Sequence, residues 1–250
     1  NTSFVNQIYN KDYKPQTIAI DPVQKARENE YKHHPKIPLP ANLYGKSRKN
    51  SSGLNLDDPA CTKKLLGGIK QNFKNKSYEA APLISGKKIP NGAGYQKLNP
   101  ANRNDTVGQI YDAQLEHIDQ AFQTAHTGHQ IWSQSSTEHR ASILENIALA
   151  LEDNKIELIN LCVREGGRTL KDANDEVREA VDFCRYYAAQ GRHNFAESGT
   201  SLKSPTGETN VYTLQSRGIF VCISPWNFPV AIYTGQIVAA LMAGNSVIAK

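Results

Sequence analysis

Gly218-Ile-Phe-Val-Cys-Ile-Ser224, Pro225-Trp-Asn-Phe-Pro229, the uncharged residues 230–243 and, after Gly244-Asn245, the run Ser246-Val-Ile-Ala-Lys250 decide the fold. The first run carries apolar side chains on both faces, the habit of a strand buried in a parallel sheet. Residues 225–229 are a tight proline-bracketed loop, residues 230–243 a helix without charges, and Gly244-Asn245 its C-cap. Residues 247–249 are the next strand. Strand, helix and strand in this order form a right-handed βαβ unit whose two strands run the same way. Ser224, Pro225, Trp226, Asn227 and Lys250 therefore converge on the carboxyl edge, where open α/β sheets bind ligands.

The same stretch holds no charge from Gly218 to Ala249, long enough to cross a membrane. Pro225, Asn227, Pro229, Gln236, Gly244 and Asn245 interrupt it, and backbone left unsatisfied in lipid is costly. A buried βαβ unit fits better than a membrane hairpin, and recovery of the chain without detergent would exclude the latter.

Upstream, apolar residues recur at helical spacing in three long segments. Residues 115–132 carry Ile118, Ala121, Phe122, Ala125 and Trp132. Residues 137–163, with Thr137 as N-cap, carry Ile143, Leu144, Ile147, Leu151, Ile156, Ile159 and Leu161. After Gly166-Gly167, residues 170–195 carry Ala173, Val177, Val181, Cys184 and Tyr187. Short β-like pieces precede them around 82–89 and 94–98, with a turn at Asn99-Pro100-Ala101-Asn102 and a strand near 107–113. Residues 207–215 read as a strand of a subsidiary sheet.

The front of the chain has a different texture. Residues 1–20 are polar and irregular. Asp21-Pro22 starts a short helix to about Lys32, because proline's missing donor costs nothing in a first turn. Residues 33–44, with Pro35, Pro38 and Pro40, are extended. A second helix starts at Asp58-Pro59 with Leu65, Leu66, Ile69 and Phe73 on one stripe.

Of the 250 residues, 39% are hydrophobic and 21% charged, which excludes disordered and collagen-like chains. The net charge of +5 is uneven: residues 1–76 hold 14 basic and 6 acidic side chains, the rest 15 and 18. The basic excess is scattered over a segment that reads as connector, with no basic helix face and no nucleic-acid-binding module. Cys61, Cys162, Cys184 and Cys222 form no CxxC pair, so neither a zinc site nor a disulfide scaffold is indicated and the default compartment is the reducing cytoplasm. The chain starts at Asn1 without a secretory leader and stops on a strand, so a piece of a longer polypeptide is expected.

Neither GxGxxG nor GxxxxGK[ST] is present, so a nucleotide would need another grip. Lys250 offers an ammonium for ribose hydroxyls or a phosphate, and Trp226 and Ile223 offer apolar surface. Asn227 is either an aimed amide donor for an oxyanion or an amide that satisfies loop backbone. His126 and His129 stand three apart on a helix without a local third ligand; they are expected to face solvent, and no metal site is assigned.

The residues 225–229 and the run Ala239-Ala-Leu-Met-Ala-Gly-Asn-Ser-Val-Ile-Ala-Lys250 resemble the opening of the dinucleotide domain of the aldehyde dehydrogenase superfamily. Glu165-Gly-Gly-Arg-Thr169 and Glu176-Val-Arg-Glu-Ala-Val-Asp-Phe183 narrow the resemblance to Δ1-pyrroline-5-carboxylate dehydrogenases. Asn1-Thr-Ser-Phe-Val-Asn6 resembles the end of a proline dehydrogenase barrel. His34-Pro-Lys-Ile-Pro-Leu-Pro40 with Leu43-Tyr-Gly45 resembles the connector of the bifunctional proline utilisation A family.

The resemblance implies an α/β fold: long helices plus the first βαβ unit of a Rossmann-like parallel sheet, the N-terminal part of an aldehyde dehydrogenase fold, preceded by a connector with short helices. It implies a proline dehydrogenase tail over 1–20, a connector over 21–78 and an incomplete dehydrogenase domain over 79–250. It assigns Asn227 to the oxyanion hole, Ile223, Ser224, Pro225 and Trp226 to the cofactor-facing wall, and Lys250 to the adenosine ribose of NAD. Glu179 and Phe183 match positions lining the pocket for glutamate semialdehyde, with the carboxylate near the substrate's ammonium; the alternative for Glu179 is an ion pair with Arg178 or Arg185.

No cysteine matches the context of the family's nucleophile. The nucleophile and general base are expected after Lys250, the FAD and proline sites before Asn1, and this chain alone is expected to be inactive. The partners implied are the rest of the parent polypeptide and further copies of it, without nucleic acid or membrane. The competing reading is a docking module whose basic connector binds an acidic partner or DNA, which salt-sensitive binding of residues 1–76 to duplex DNA would reveal.

Overall fold

A computed structural model describes residues 9, 11–12, 14–19, 21–30, 32–34, 36–73 and 76–250. They fall into two compact units, residues 1–43 and 44–250. The tail resemblance at Asn1–Asn6 lies outside the described residues.

In the first unit, helix α1 (Pro15–Ile18) occupies a stretch expected to be irregular. Helix α2 (Pro22–Glu28) starts as expected, with the Asp21 carboxylate accepting from the Val23 amide at 2.9 Å. It ends before Lys32, where Glu30 adopts a φ of 52°. The expected extended run over 33–44 holds a 3₁₀ turn at Pro40–Asn42, because a proline at the first position presets the turn's φ.

The second unit begins with a strap that leads into α3 (Pro59–Phe73), capped by Asp58 on the Ala60 amide at 2.9 Å. Leu65 is buried and Ile69 packs beside it, but Leu66 is exposed, so the stripe is narrower than the sequence indicated. Strand β1 (Tyr78–Ala80) pairs in parallel with β5 (Asn102–Ile110), and β4 (Tyr95–Asn99) pairs antiparallel on its other side. β5 starts directly at the Asn99–Asn102 turn and stops at Ile110, earlier than the expected 107–113. A hairpin joins β2 (Leu83–Ile84) to β3 (Lys87–Lys88) through Ser85 and Gly86, both at positive φ as a two-residue turn requires.

Helix α4 (Leu115–Trp132) has its expected bounds. The single helix expected over 137–163 is two, α5 (Thr137–Asp153) and α6 (Lys155–Gly166). The break is Asn154, whose side-chain amide donates to the Ala150 carbonyl at 2.8 Å, the competition with helical bonding that asparagine provides. The N-cap of α5 is Ser136, accepting from His139 at 3.2 Å; Thr137 instead donates its hydroxyl to the Phe195 carbonyl at 2.5 Å. Gly167, at φ 66°, closes α6, and Thr169 caps α7 (Leu170–Asn194) on the Asp172 amide.

Two apolar clusters share α7. One joins Ala141, Leu144 and Ala148 of α5 to Val181, Cys184 and Ala188 of α7 and to Val238 and Met242 of α8 (Ala231–Met242). The other joins Leu65, Ile159 and Cys162 to Ala173 and Val177. Alanines at the crossings let the backbones approach, and each fully buried Leu, Ile or Val contributes about 1.5–3 kcal/mol.

The decisive stretch folds as its pattern dictates. β8 (Ile219–Cys222) and β9 (Ser246–Ala249) are parallel, in register from Ile219 opposite Ser246 to Cys222 opposite Ala249, with α8 as the crossover. The Asn245 side-chain carbonyl accepts from the amides of Arg217 at 2.6 Å and Gly218 at 3.0 Å, tying the start of β8 to the turn before β9. Two expectations change. Phe220, Val221 and Ile223 are exposed, because β8 has β9 on one side and no paired strand on the other among the described residues. The strand expected over 207–215 is only β7 (Val211–Tyr212), paired with β6 (Thr200–Ser201). No described helix is long and apolar enough to cross a membrane.

Candidate functional site

The carboxyl ends of β8 and β9 are tied together by backbone. Ser224 donates its amide and hydroxyl to the Lys250 carbonyl at 3.0 and 3.2 Å, and the Lys250 amide donates to the Cys222 carbonyl at 2.8 Å. The two strand ends thus form one rim, from which the loop 225–229 departs. Gln236, on the first turns of α8, donates its side-chain amide to the Ile223 carbonyl at 3.2 Å.

Asn227 is exposed, and its side-chain amide makes no hydrogen bond to the described residues. The alternative of an amide consumed by loop backbone is therefore not what the geometry shows. Its main-chain carbonyl is held instead, by the Arg168 guanidinium at 2.6 Å. Trp226 and Ile223 are 83% and 60% exposed, a large apolar surface beside the rim. The Lys250 ammonium is exposed and has no partner among the described residues. Ile223 and Lys250 also line a cleft of about 880 Å³ whose other walls include Leu83, Phe122 and Ile248, a volume usual for ligand pockets. An uncovered apolar surface next to a free cation fits a dinucleotide; Asn227, Glu179 and Phe183 lie outside that cleft.

Glu179 and Phe183 sit one turn apart on α7. Glu179 is exposed and forms no ion pair with the described residues; Arg178 pairs with Asp175 at 3.6 Å and Arg185 with Glu152 at 2.7 Å, so neither takes the role considered for it. Phe183 is half-buried, stacked on Tyr187 with centroids 6.1 Å apart. The structure brings Phe183 against α8, and Ser224 against Lys250, but gives Glu179 no partner among the described residues.

Two residues of this region, Glu176 and Arg168, lie in stretches that carry the resemblance but were given no role from sequence. Glu176 has a fully buried side chain whose Oε1 accepts from the amides of Val230 at 2.9 Å and Ala231 at 3.2 Å. Arg168 stands 3.5 Å from its other oxygen. The available signal was a carboxylate at the spacing of Ala173 and Ala180, on the apolar stripe of α7.

The cysteines behave as expected of inert thiols. Burial pushes Cys162 and Cys184 up to about 12 and raises Cys222, while Cys61 is half-exposed on α3. His117, not singled out in sequence, is buried and accepts the Gln114 amide at 3.0 Å as part of the cap of α4. His129 does not simply face solvent: it is half-buried and bonded to Ser216 at 3.1 Å.

The profile of the aldehyde dehydrogenase family matches residues 89–250. The chain is 40% identical over 256 aligned positions to the bifunctional protein PutA of Salmonella typhimurium, an alignment covering all of this chain and 18% of that protein. It therefore spans less than a fifth of the length of such relatives. A crystal structure of Bradyrhizobium japonicum proline utilization A superposes with a TM-score of 0.71 at 38% identity, covering all of this chain and 22% of the other. A 1-pyrroline-5-carboxylate dehydrogenase from Thermus with bound NAD superposes with a TM-score of 0.73 at 25% identity, covering 86% of this chain and 40% of the other.

Proposed function

Because the chain belongs to the aldehyde dehydrogenase family, we propose that it supplies the NAD-facing wall and the oxyanion donor of an L-glutamate γ-semialdehyde dehydrogenase, within a longer polypeptide that oxidises proline to glutamate. The observation that carries this reading is the rim itself, where parallel β8 and β9 end together and the side-chain amide of Asn227 has no partner among the described residues.

In this reading NAD, when bound, supplies the hydride acceptor. Ile223, Ser224, Pro225 and Trp226 form the surface it lies against, and the Lys250 ammonium holds ribose hydroxyls. Asn227 donates from its side-chain amide to the oxygen that gains negative charge when a thiolate adds to the aldehyde, a donor aimed in advance at developing charge. Glu179 pairs with the substrate's ammonium, and Phe183 packs against its carbon chain.

The thiolate, the base that activates water, and the FAD site of a proline dehydrogenase belong to the rest of the polypeptide, so this chain alone is inactive. The proposed divisions are 1–20 for the proline dehydrogenase tail, 21–78 for the connector and 79–250 for the dehydrogenase domain. The assembled enzyme is a cytoplasmic homo-oligomer.

The test is Asn227→Ala in the full-length enzyme. Turnover with the semialdehyde and NAD is expected to fall about 10²–10³-fold, with NAD affinity kept. Turnover within a few-fold of the parent overturns the assignment.

A further inference from the structure

We propose that Arg168 and Glu176 are positioning residues: a clamp, rooted in the buried Glu176 carboxylate, that fixes the orientation of the loop 225–229 and, through it, the Asn227 amide. The inference rests on the oxyanion role given to Asn227 above.

Three separated stretches meet here. Glu176 comes from α7, Arg168 from the turn between α6 and α7, and the loop from the end of β8. Helix α8 has no side-chain cap of its own, so its first amides need an acceptor from elsewhere. Glu176 Oε1 meets that need at Val230 and Ala231, which fixes the exit of the loop. Arg168 fixes its middle: one guanidinium nitrogen donates to the Asn227 carbonyl at 2.6 Å, and the guanidinium carbon lies 4.8 Å from the centre of the Phe228 ring. A second nitrogen faces Glu176 Oε2 at 3.5 Å.

Within the loop the backbone supplies little restraint, a single bond from the Phe228 amide to the Pro225 carbonyl at 3.3 Å. The clamp is thus the main restraint on the peptide of Asn227. Arg168 Nε and Glu176 Oε2 are buried without a hydrogen bond among the described residues, so the two side chains are held by the 3.5 Å ion pair through the other guanidinium nitrogen. Leaving a carboxylate buried without a partner is expensive, which locks the two groups together. An oxyanion donor acts only within a few tenths of an ångström of its aim, so a loop released by about 1 Å loses much of its effect.

The experiment is a double-mutant cycle in the full-length enzyme with Arg168→Ala and Asn227→Ala. Alone, Arg168→Ala is expected to lower kcat about 10- to 100-fold with KM for NAD within two-fold. In the Asn227→Ala background it is expected to lower kcat by less than two-fold, because the group it positions is gone. A loss of the same size in both backgrounds overturns the clamp while leaving the oxyanion reading intact. An Asn227→Ala enzyme with unchanged kcat overturns both. Should Arg168→Ala fail to fold, Arg168→Lys passes through the same cycle, since it keeps the charge beside Glu176 but lacks the second arm for the Asn227 carbonyl. Glu176→Gln, which keeps the acceptor for Val230 and Ala231, is expected to retain more kcat than Glu176→Ala; equal losses also count against the clamp.

Discussion

Gly235 lies flat against the Phe183 ring: a Cβ on Gly235 would stand 2.9 Å from Phe183 Cδ2. The crossing of α7 and α8 is thus set by a missing side chain, and it carries one of the residues assigned to the substrate pocket. Gly235→Ala gains up to about 1 kcal/mol of helix propensity but forces a half-buried, packed aromatic to move, at about 1–3 kcal/mol. The net expectation is about 1 kcal/mol of destabilisation in urea unfolding, with a raised KM for the aldehyde in the full-length enzyme. A variant more stable than the parent would remove the packing argument.

Glu176 makes a second stability prediction, separate from kinetics. Glu176→Ala leaves two amides of α8 and the Arg168 charge without their buried partner, and is expected to cost about 3–5 kcal/mol. Glu176→Gln retains an acceptor and is expected to cost roughly half as much or less. Chemical denaturation of this chain reads both, and equal costs would assign the stabilisation to charge rather than to capping.

The Asp105 carboxyl is held down to about 2, first by hydrogen bonds from Arg164 and then by one from Asn99. Its value in the folded chain lies below the ordinary 3.8, so its contribution is fully present above about pH 4 and is lost as pH falls through 2. That pair fastens α6 to the β4–β5 hairpin. Asp105→Asn is expected to cost about 1 kcal/mol near neutral pH, after allowance for solvent screening, with the cost shrinking towards pH 2 and vanishing below it. Unfolding free energies measured from pH 2 to 7 should show the two curves converging on the acid side, and parallel curves would refute the pairing.

The thiols give a chemical readout of burial. With iodoacetamide at pH 8, Cys61 is expected to react first, and Cys162 and Cys184 to resist until denaturant is added. Mass mapping of the labelled peptides checks the order. Early labelling of Cys184 would mean that the cluster around Leu144 and Val238 opens readily.

Much of the βαβ unit was legible in sequence because its signals are local: apolar runs, a proline-bracketed loop and a Gly-Asn stop. The break at Asn154 was not, since residues 151 and 156 keep their apolar character across it and only one side-chain amide diverts the backbone. The exposure of Phe220 and Val221 was missed for another reason, as an apolar strand says what it would bury and not whether a neighbour is there to cover it. At the site, Asn227 and Lys250 could be found by topology. Arg168 and Glu176 stand in stretches that carry the resemblance, but their role could not be read, because an ion pair between a turn and a helix has no spacing rule, and only the contact with Val230 reveals its purpose.

Helix α7 carries several of these connections at once. Asn174 accepts the Leu54 amide, Asp182 holds the amide and hydroxyl of Ser51, and Arg185 donates to the Asn50 carbonyl, while Glu176 caps α8 and Phe183 meets Gly235. A helix advances about 100° per residue, so inserting or deleting one residue between positions 176 and 182 would rotate every later anchor off its target together. This segment should therefore refuse length changes almost entirely, whereas the exposed turn near Gly207, which anchors nothing of the kind, should accept them; a library of single-codon insertions scored for soluble expression would show that contrast as a gap and a plateau.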